Sequence, residues 1–213
     1  MRHYFFLLAL LLSACAAVPE RPPVAEPDKV WHARAAALQR LNAWDVRGRL
    51  ALRSAEEGFH ASLRWVREAE QHRIDLTGPL GGGHVRLTQD RTGAEFRDAN
   101  DRVDRDVSVR NLLLRRTGWD LPLEGLNFWL LGLPAPGVAA QHELDAWGRL
   151  KTLEQLGWEI RFVEYVQLGA TELPSRVFIR RRSDMAAERT LEVRLVVEEW
   201  LQVGEHGKAD AAK

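Results

Sequence analysis

The chain has 213 residues, 30 Lys and Arg, 30 Asp and Glu, 46% apolar residues and a single Cys. That length holds one domain, or at most two small ones, and the balanced charge leaves no electrostatic footprint for nucleic acid. One Cys excludes an intramolecular disulfide, a CxxC redox pair and a multi-Cys zinc site.

Residues 1–14 read as a leader. Arg2 and His3 precede an unbroken apolar run from Phe5 to Leu12, and Ser13, Ala14 and Cys15 follow. A basic start, a short apolar segment and small residues make a secretory signal. The run is too short for a membrane span, which takes ~20 apolar residues. Leu12-Ser13-Ala14-Cys15 resembles the lipobox of bacterial lipoproteins, in which the Cys becomes the mature N-terminus and carries lipid. The bland alternative is a plain secretory signal with a chance Cys. Ala16 stands where an Asp would mark inner-membrane retention in enteric bacteria, which favours the outer membrane.

Residues 15–28 carry Pro19, Pro22, Pro23 and Pro27 and read as a semi-rigid tether. The folded domain is expected over 29–203. Asp28 is placed to cap a helix with Trp31, Ala35, Leu38 and Leu41 on one face. The period then becomes two. Trp44, Val46, Gly48, Leu50 and Leu52 alternate with polar neighbours, as do Phe59, Ala61, Leu63 and Trp65, then Ile74 and Leu76. Val85, Leu87, Ala94 and Phe96 continue a meander of antiparallel strands, apolar on one face. Gly78-Pro79-Leu80-Gly81-Gly82-Gly83 interrupts it.

Two helices follow. One is expected over Val107–Thr117, rich in Leu at 112–114, with Gly118 as C-cap. Pro122 suits the first turn of the next, which carries Leu123, Leu126, Trp129, Leu130 and Leu133. Strands return near 141–147, 149–156, 158–168, 175–182 and 189–202. Residues 204–213 form a polar tail with no pattern. The fold class is therefore α+β. A sheet of some ten strands curls rather than staying flat, and with helices on its concave side it encloses an apolar pocket.

No catalytic constellation is legible. The seven His show no HExxH or other metal-ligand spacing, Gly81-Gly82-Gly83 lacks the Lys-Ser/Thr of a P-loop, and no GxSxG elbow occurs. No enzyme activity, metal or cofactor is expected. The Arg180-Arg181-Arg182 run reads as a solvated strand end, or as a contact for anionic headgroups or an acidic partner.

The remaining signatures form an ordered set. They are Trp44-x-Val46-x-Gly48-Arg49-Leu50, Phe59-x-Ala61-x-Leu63-x-Trp65 and Gly78-Pro79-Leu80-Gly81. Leu121-Pro122-Leu123 and Leu126-x-x-Trp129-Leu130-x-Gly132-Leu133-Pro134 follow, with Gly157-Trp158 and Glu199-Trp200. In this order behind a lipobox, the chain resembles the LolB family of outer-membrane lipoprotein receptors over about residues 31–202. The resemblance implies a curved antiparallel sheet forming an incomplete β-barrel, covered by helices, with an apolar cavity. It implies a lipid-anchored protein, facing the periplasm from the outer membrane. Such a protein takes lipoprotein acyl chains from a LolA-like periplasmic carrier and inserts them into the inner leaflet, with no cofactor. It also implies lipidation of Cys15 and a membrane-insertion role for Leu80, flanked by Pro79 and Gly81.

The candidate cavity lining is Trp44, Val46, Leu50, Leu52, Leu63, Trp65, Ile74, Leu76, Leu112, Leu126, Trp129, Leu130, Phe162 and Val193; for each residue alone, ordinary core is at least as good a reading. A monomer is expected. The rival functions are an envelope lipoprotein that binds other lipids and a structural, scaffolding one with a filled core.

Overall fold

The fold is seen in a computed structural model whose described residues are 21–54, 57–79, 83–181 and 191–204. Cys15, Leu80, Gly81, Arg182 and the tail from 205 onwards lie outside the described residues. In chain order the elements are α1 (Pro27–Leu38), β1 (Ala43–Arg53), β2 (Gly58–Glu68), β3 (Gln71–Thr77), β4 (His84–Gln89), β5 (Ala94–Arg97) and β6 (Val103–Asp106). Then come α2 (Val109–Thr117), α3 (Leu123–Trp129), β7 (Ala140–Leu144), β8 (Leu150–Gln155), β9 (Trp158–Leu168), β10 (Thr171–Arg181) and β11 (Glu192–Gly204).

The strands form one 11-stranded sheet in the order β6-β5-β4-β3-β2-β1-β11-β10-β9-β8-β7. Every neighbouring pair is antiparallel. Two hairpin meanders, β1–β6 and β7–β11, are joined where β1 pairs with β11 along its full length. β6 and β7 remain as edges, so the barrel is incomplete, as the α+β pattern and the resemblance implied. Alternation puts Trp44, Val46 and Leu52 of β1 and Ala61, Leu63 and Trp65 of β2 on the inner face, where they are buried, and leaves Arg47, Arg49 and Arg64 exposed.

Bulges curl this sheet. The β1–β11 register shifts between Asp45 and Val46 and again between Arg47 and Gly48. Each extra residue bends its strand and increases the local twist. At the second shift a Cβ on Gly48 would stand 2.1 Å from the Val196 carbonyl oxygen, so the residue there must be Gly. The β9–β10 register shifts beside Pro174, a strand position that tolerates Pro because a bulge leaves its missing N–H unneeded.

Several boundaries differ from the sequence reading. α1 begins at Pro27 with Glu26 as N-cap; Pro at N1 costs no hydrogen bond, which moves the start ahead of Asp28. α2 starts at Val109 after Ser108, and α3 ends at Trp129, with Leu130–Leu133 in the following turns. β6 is an additional strand. Leu114 is half exposed while Leu112 and Leu113 are buried, so only part of the Leu run faces inward. The end of the tether is fastened to the body: Val24 N–H donates to Ala146 O at 2.9 Å, and Trp147 Nε1 donates to Arg21 O at 3.1 Å.

The register sets two ends of the sheet. At one end lie the start of β1, the end of β11 and the turns at 69–70, 90–93, 145–149 and 169–170. At the other end lie the turns at 54–57, 78–83, 98–102 and 156–157. The tether therefore meets the body at the end opposite the Gly78–Gly83 loop.

Candidate functional site

The structure gathers the candidate cavity residues into one apolar cluster on the inner face. Trp44, Val46, Leu52, Leu63, Trp65, Ile74 and Leu76 reach it from β1–β3, Phe162 from β9 and Val193 from β11. Leu112 comes from α2, and Trp129 and Leu130 from α3 and its end. All of these are buried; Leu50 and Leu126 are half-buried and pack against the cluster. The residues belong together because alternation in three adjacent strands aims every second side chain at the same space, and the two central helices cover it. They form one buried cluster in this conformation. A groove of about 500 Å³ beside His72 and Ala94 is walled mainly by Glu68, Arg73, Thr88, Glu95 and Arg105, a charged lining that suits polar ligands rather than hydrocarbon.

Polar groups stand at the tether end of the apolar interior. Trp44 packs edge-on to Trp65 at 6.2 Å and to His72 at 6.5 Å between ring centroids. Trp65 Nε1 donates to His72 Nδ1 at 3.3 Å. Arg67 lies 4.7 Å above the Trp44 ring, a cation–π contact, and its Nε donates to Ala69 O at 2.8 Å. Burial, with the Arg67 charge beside it, holds His72 well below the usual range, at about 4. It is therefore neutral at physiological pH, the form in which Nδ1 can accept from Trp65.

Gln155 was an unmarked strand residue in the sequence; in the structure it is the polar hinge-pin of the helical cover. Its Oε1 accepts from Trp129 Nε1 at 3.1 Å and from Ala135 N–H at 2.8 Å. Its Nε2 donates to Ala135 O at 2.8 Å and Val138 O at 3.2 Å. The only sequence signal was its alternation with Leu153 on a strand. A second polar group, also unforeseen, fastens α1. Arg34 donates through Nη2 to the Glu172 carbonyl oxygen, and Arg149 pairs with Asp145 at 2.7 Å and with Glu172 at 2.9 Å. Both guanidiniums flank the Tyr165 ring, whose hydroxyl donates to Leu150 O at 2.7 Å. Burial pushes the Tyr165 hydroxyl above its ordinary value and lowers Arg34.

The Gly78–Gly83 loop is closed at its base by Gly78 N–H donating to Gly83 O at 3.0 Å. Gly83 has a φ of +81°, a conformation open to Gly at little cost. Pro79 is exposed; the expectation for Leu80 and Gly81, like that for Cys15, falls outside the described residues. Of the basic run, Arg180 pairs with Glu159 at 2.6 Å and Arg181 with Asp120 at 2.9 Å, so both charges are engaged within the protein.

Comparison with known proteins gives a consistent picture. Residues 42–200 match the family model described as outer membrane lipoprotein LolB. The chain is 35% identical over 192 residues to an outer-membrane lipoprotein LolB of Nitrosococcus oceani, covering 90% of this chain and 92% of the relative. It is 34% identical to that of Alkalilimnicola ehrlichii, covering 91% and 93%, and 32% identical to one from Pseudomonas putida, covering 94% and 96%. Among solved structures it is similar to a LolA superfamily protein of Nitrosomonas europaea, with a TM-score of 0.46 and 9% identity over 82% of this chain and 92% of that one.

Proposed function

The chain belongs to the LolB family of outer-membrane lipoproteins, and from that premise we propose that it receives lipoproteins from a LolA-like periplasmic carrier and inserts them into the inner leaflet of the outer membrane. The observation that carries this reading is the single apolar cluster enclosed by the sheet's inner face and by α2 and α3. A lipoprotein's acyl chains cannot cross water bare, since each buried methylene is worth ~0.8 kcal/mol. An apolar interior behind a sheet with two open edges is a place where they can go. Hydrophobic transfer from carrier to receptor to bilayer needs no cofactor and no covalent step. The protein acts as a monomer, and its 14-residue candidate lining is the acyl-chain site.

Cys15 is the lipid attachment point in this reading. One acyl chain anchors only marginally and stable anchoring takes two or more, so a multiply acylated Cys15 holds the domain at the membrane. Leu80, on its Gly-rich loop, is the residue that enters the bilayer during delivery. The direct test is transfer in vitro. A complex of carrier and lipoprotein is mixed with this chain carrying Cys15→Ser, and the partition of the lipoprotein between the two is measured. Passage of the cargo to this chain is the expected result. Cargo that stays with the carrier refutes the receptor function.

A further inference from the structure

Two buried indole N–H groups, those of Trp44 and Trp200, have no hydrogen-bond partner. A buried Trp N–H ordinarily finds one, and an orphaned donor in the interior asks for an explanation. Both side chains lie in the apolar cluster, on paired strands: Val46 of β1 faces Trp200 of β11, and Trp44 faces Val203. Trp44 and Val46 lie on the same face of β1, so the two indoles share the inner face, with the Asp45–Gln202 pair between their positions.

The three side chains seen against the Trp44 ring, those of Trp65, His72 and Arg67, offer no free acceptor. Trp65 and Arg67 carry donors only on their side chains. His72 Nδ1 already accepts from Trp65 at 3.3 Å, which leaves the other ring nitrogen as the N–H of the neutral tautomer. Arg67 has used its Nε on Ala69 O and keeps further N–H groups beside the Trp44 ring. Donors without an acceptor, at one end of an apolar interior, are the complement of a carbonyl oxygen at the head of a hydrocarbon chain.

We propose that Trp44 and Trp200 donate to the ester carbonyl oxygens of a bound diacylglyceryl group. This rests on the acyl-chain reading above and adds to it the atoms that fix how deep the chains sit. The chains then run from the tether end of the sheet into the cluster, and the half-buried Arg67 stands at the rim where the glyceryl group emerges. A site that donates to an ester discriminates against an analogue lacking the carbonyl, because its donors are then left unpaired.

The test compares two lipids whose chains have equal length. Dipalmitoylglycerol has two ester carbonyls; dihexadecylglycerol, its ether analogue, has none. Each displaces an environment-sensitive fluorescent acyl probe from the chain carrying Cys15→Ser. The ester lipid is expected to displace at roughly tenfold lower concentration. Trp44→Phe and Trp200→Phe keep a ring and remove the donor. Each is expected to shrink that ratio toward one, and the ratio is the readout because the smaller ring also costs packing that affects both lipids and the unfolding midpoint. A wild-type ratio near one, or a ratio that both Phe variants leave intact, overturns the proposal although the cavity stands. Displacement by neither lipid refutes the acyl-chain reading itself and the proposal with it.

Discussion

His72 couples this protein's stability to acidity. Its folded value of about 4 lies below the ~6.5 of an unfolded His, so the unfolded chain takes up a proton first as the pH falls. The stability tied to neutral His72 is complete above pH 6.5 and is lost as the pH drops toward 4. The loss comes to about 2 kcal/mol at pH 5. Urea unfolding at pH 7 and pH 5 measures it, and His72→Gln, which keeps an acceptor for Trp65 but cannot charge, is expected to remove this part of the dependence. An unchanged pH profile in that variant means that the protonation lies elsewhere. Gly48 makes a steric claim of the same scale. A Cβ placed 2.1 Å from Val196 O forces β1 and β11 apart at their bulge, so Gly48→Ala is expected to cost about 3 kcal/mol or more, as severe overpacking does. A variant whose urea midpoint matches wild type would show that the backbone yields there. The alternation Trp44-x-Val46-x-Gly48 assigned the strand correctly, but it carried no sign that this Gly meets a neighbouring carbonyl.

At the scale of elements, Gln155 decides whether α3 stays on the sheet. Gln155→Leu leaves Trp129 Nε1, Ala135 N–H and Ala135 O buried without partners, and Val138 O part-buried without one. Each buried group costs about 1–3 kcal/mol, so a loss of about 3 kcal/mol or more is expected, with faster hydrogen exchange confined to 129–138. Exchange that rises evenly over the whole sheet would instead mark a global effect. Elements with a strong period were readable in advance, among them β1, β2, β9 and α2. β6 was not, because Val103-Asp104-Arg105-Asp106 offers no apolar alternation and exists as a strand only because β5 presents an edge to it. The start of α1 slipped by two residues because Pro27, counted as tether, is also a good first residue of a helix. Gln155 and the Arg34–Glu172 contact were invisible because their partners are distant in sequence.

For the whole molecule, the sheet, its incomplete closure and the gathering of the candidate lining into one place were all legible from periodicity and the resemblance. Which of those residues would line a space was not, since a strand residue facing a cavity and one facing a neighbour look alike in sequence. The delivery step can be separated from acceptance at this scale. Leu80→Glu puts a charge on the loop proposed to enter the bilayer, whose base at Gly78 and Gly83 lies at the end of the sheet far from Trp44. It is expected to leave unfolding and uptake from the carrier unchanged and to reduce cargo insertion into vesicles by tenfold or more, roughly the penalty for taking a charge into the membrane. Normal insertion by that variant would assign the role to another part of the surface.

The pairing of β1 with β11 also has a meaning in time. Among the described residues the two meanders share no other strand pairing, so the first strand obtains its second neighbour only after residues 192–204 are available. A chain that emerges N-terminus first therefore cannot finish its sheet until β11 has appeared, and until then β1 and β10 each present a bare edge. Contacts this distant in sequence slow folding to milliseconds or longer. A chain stopped at residue 190 is accordingly expected to show no cooperative unfolding transition, and refolding of the complete chain should be limited by the meeting of its two ends.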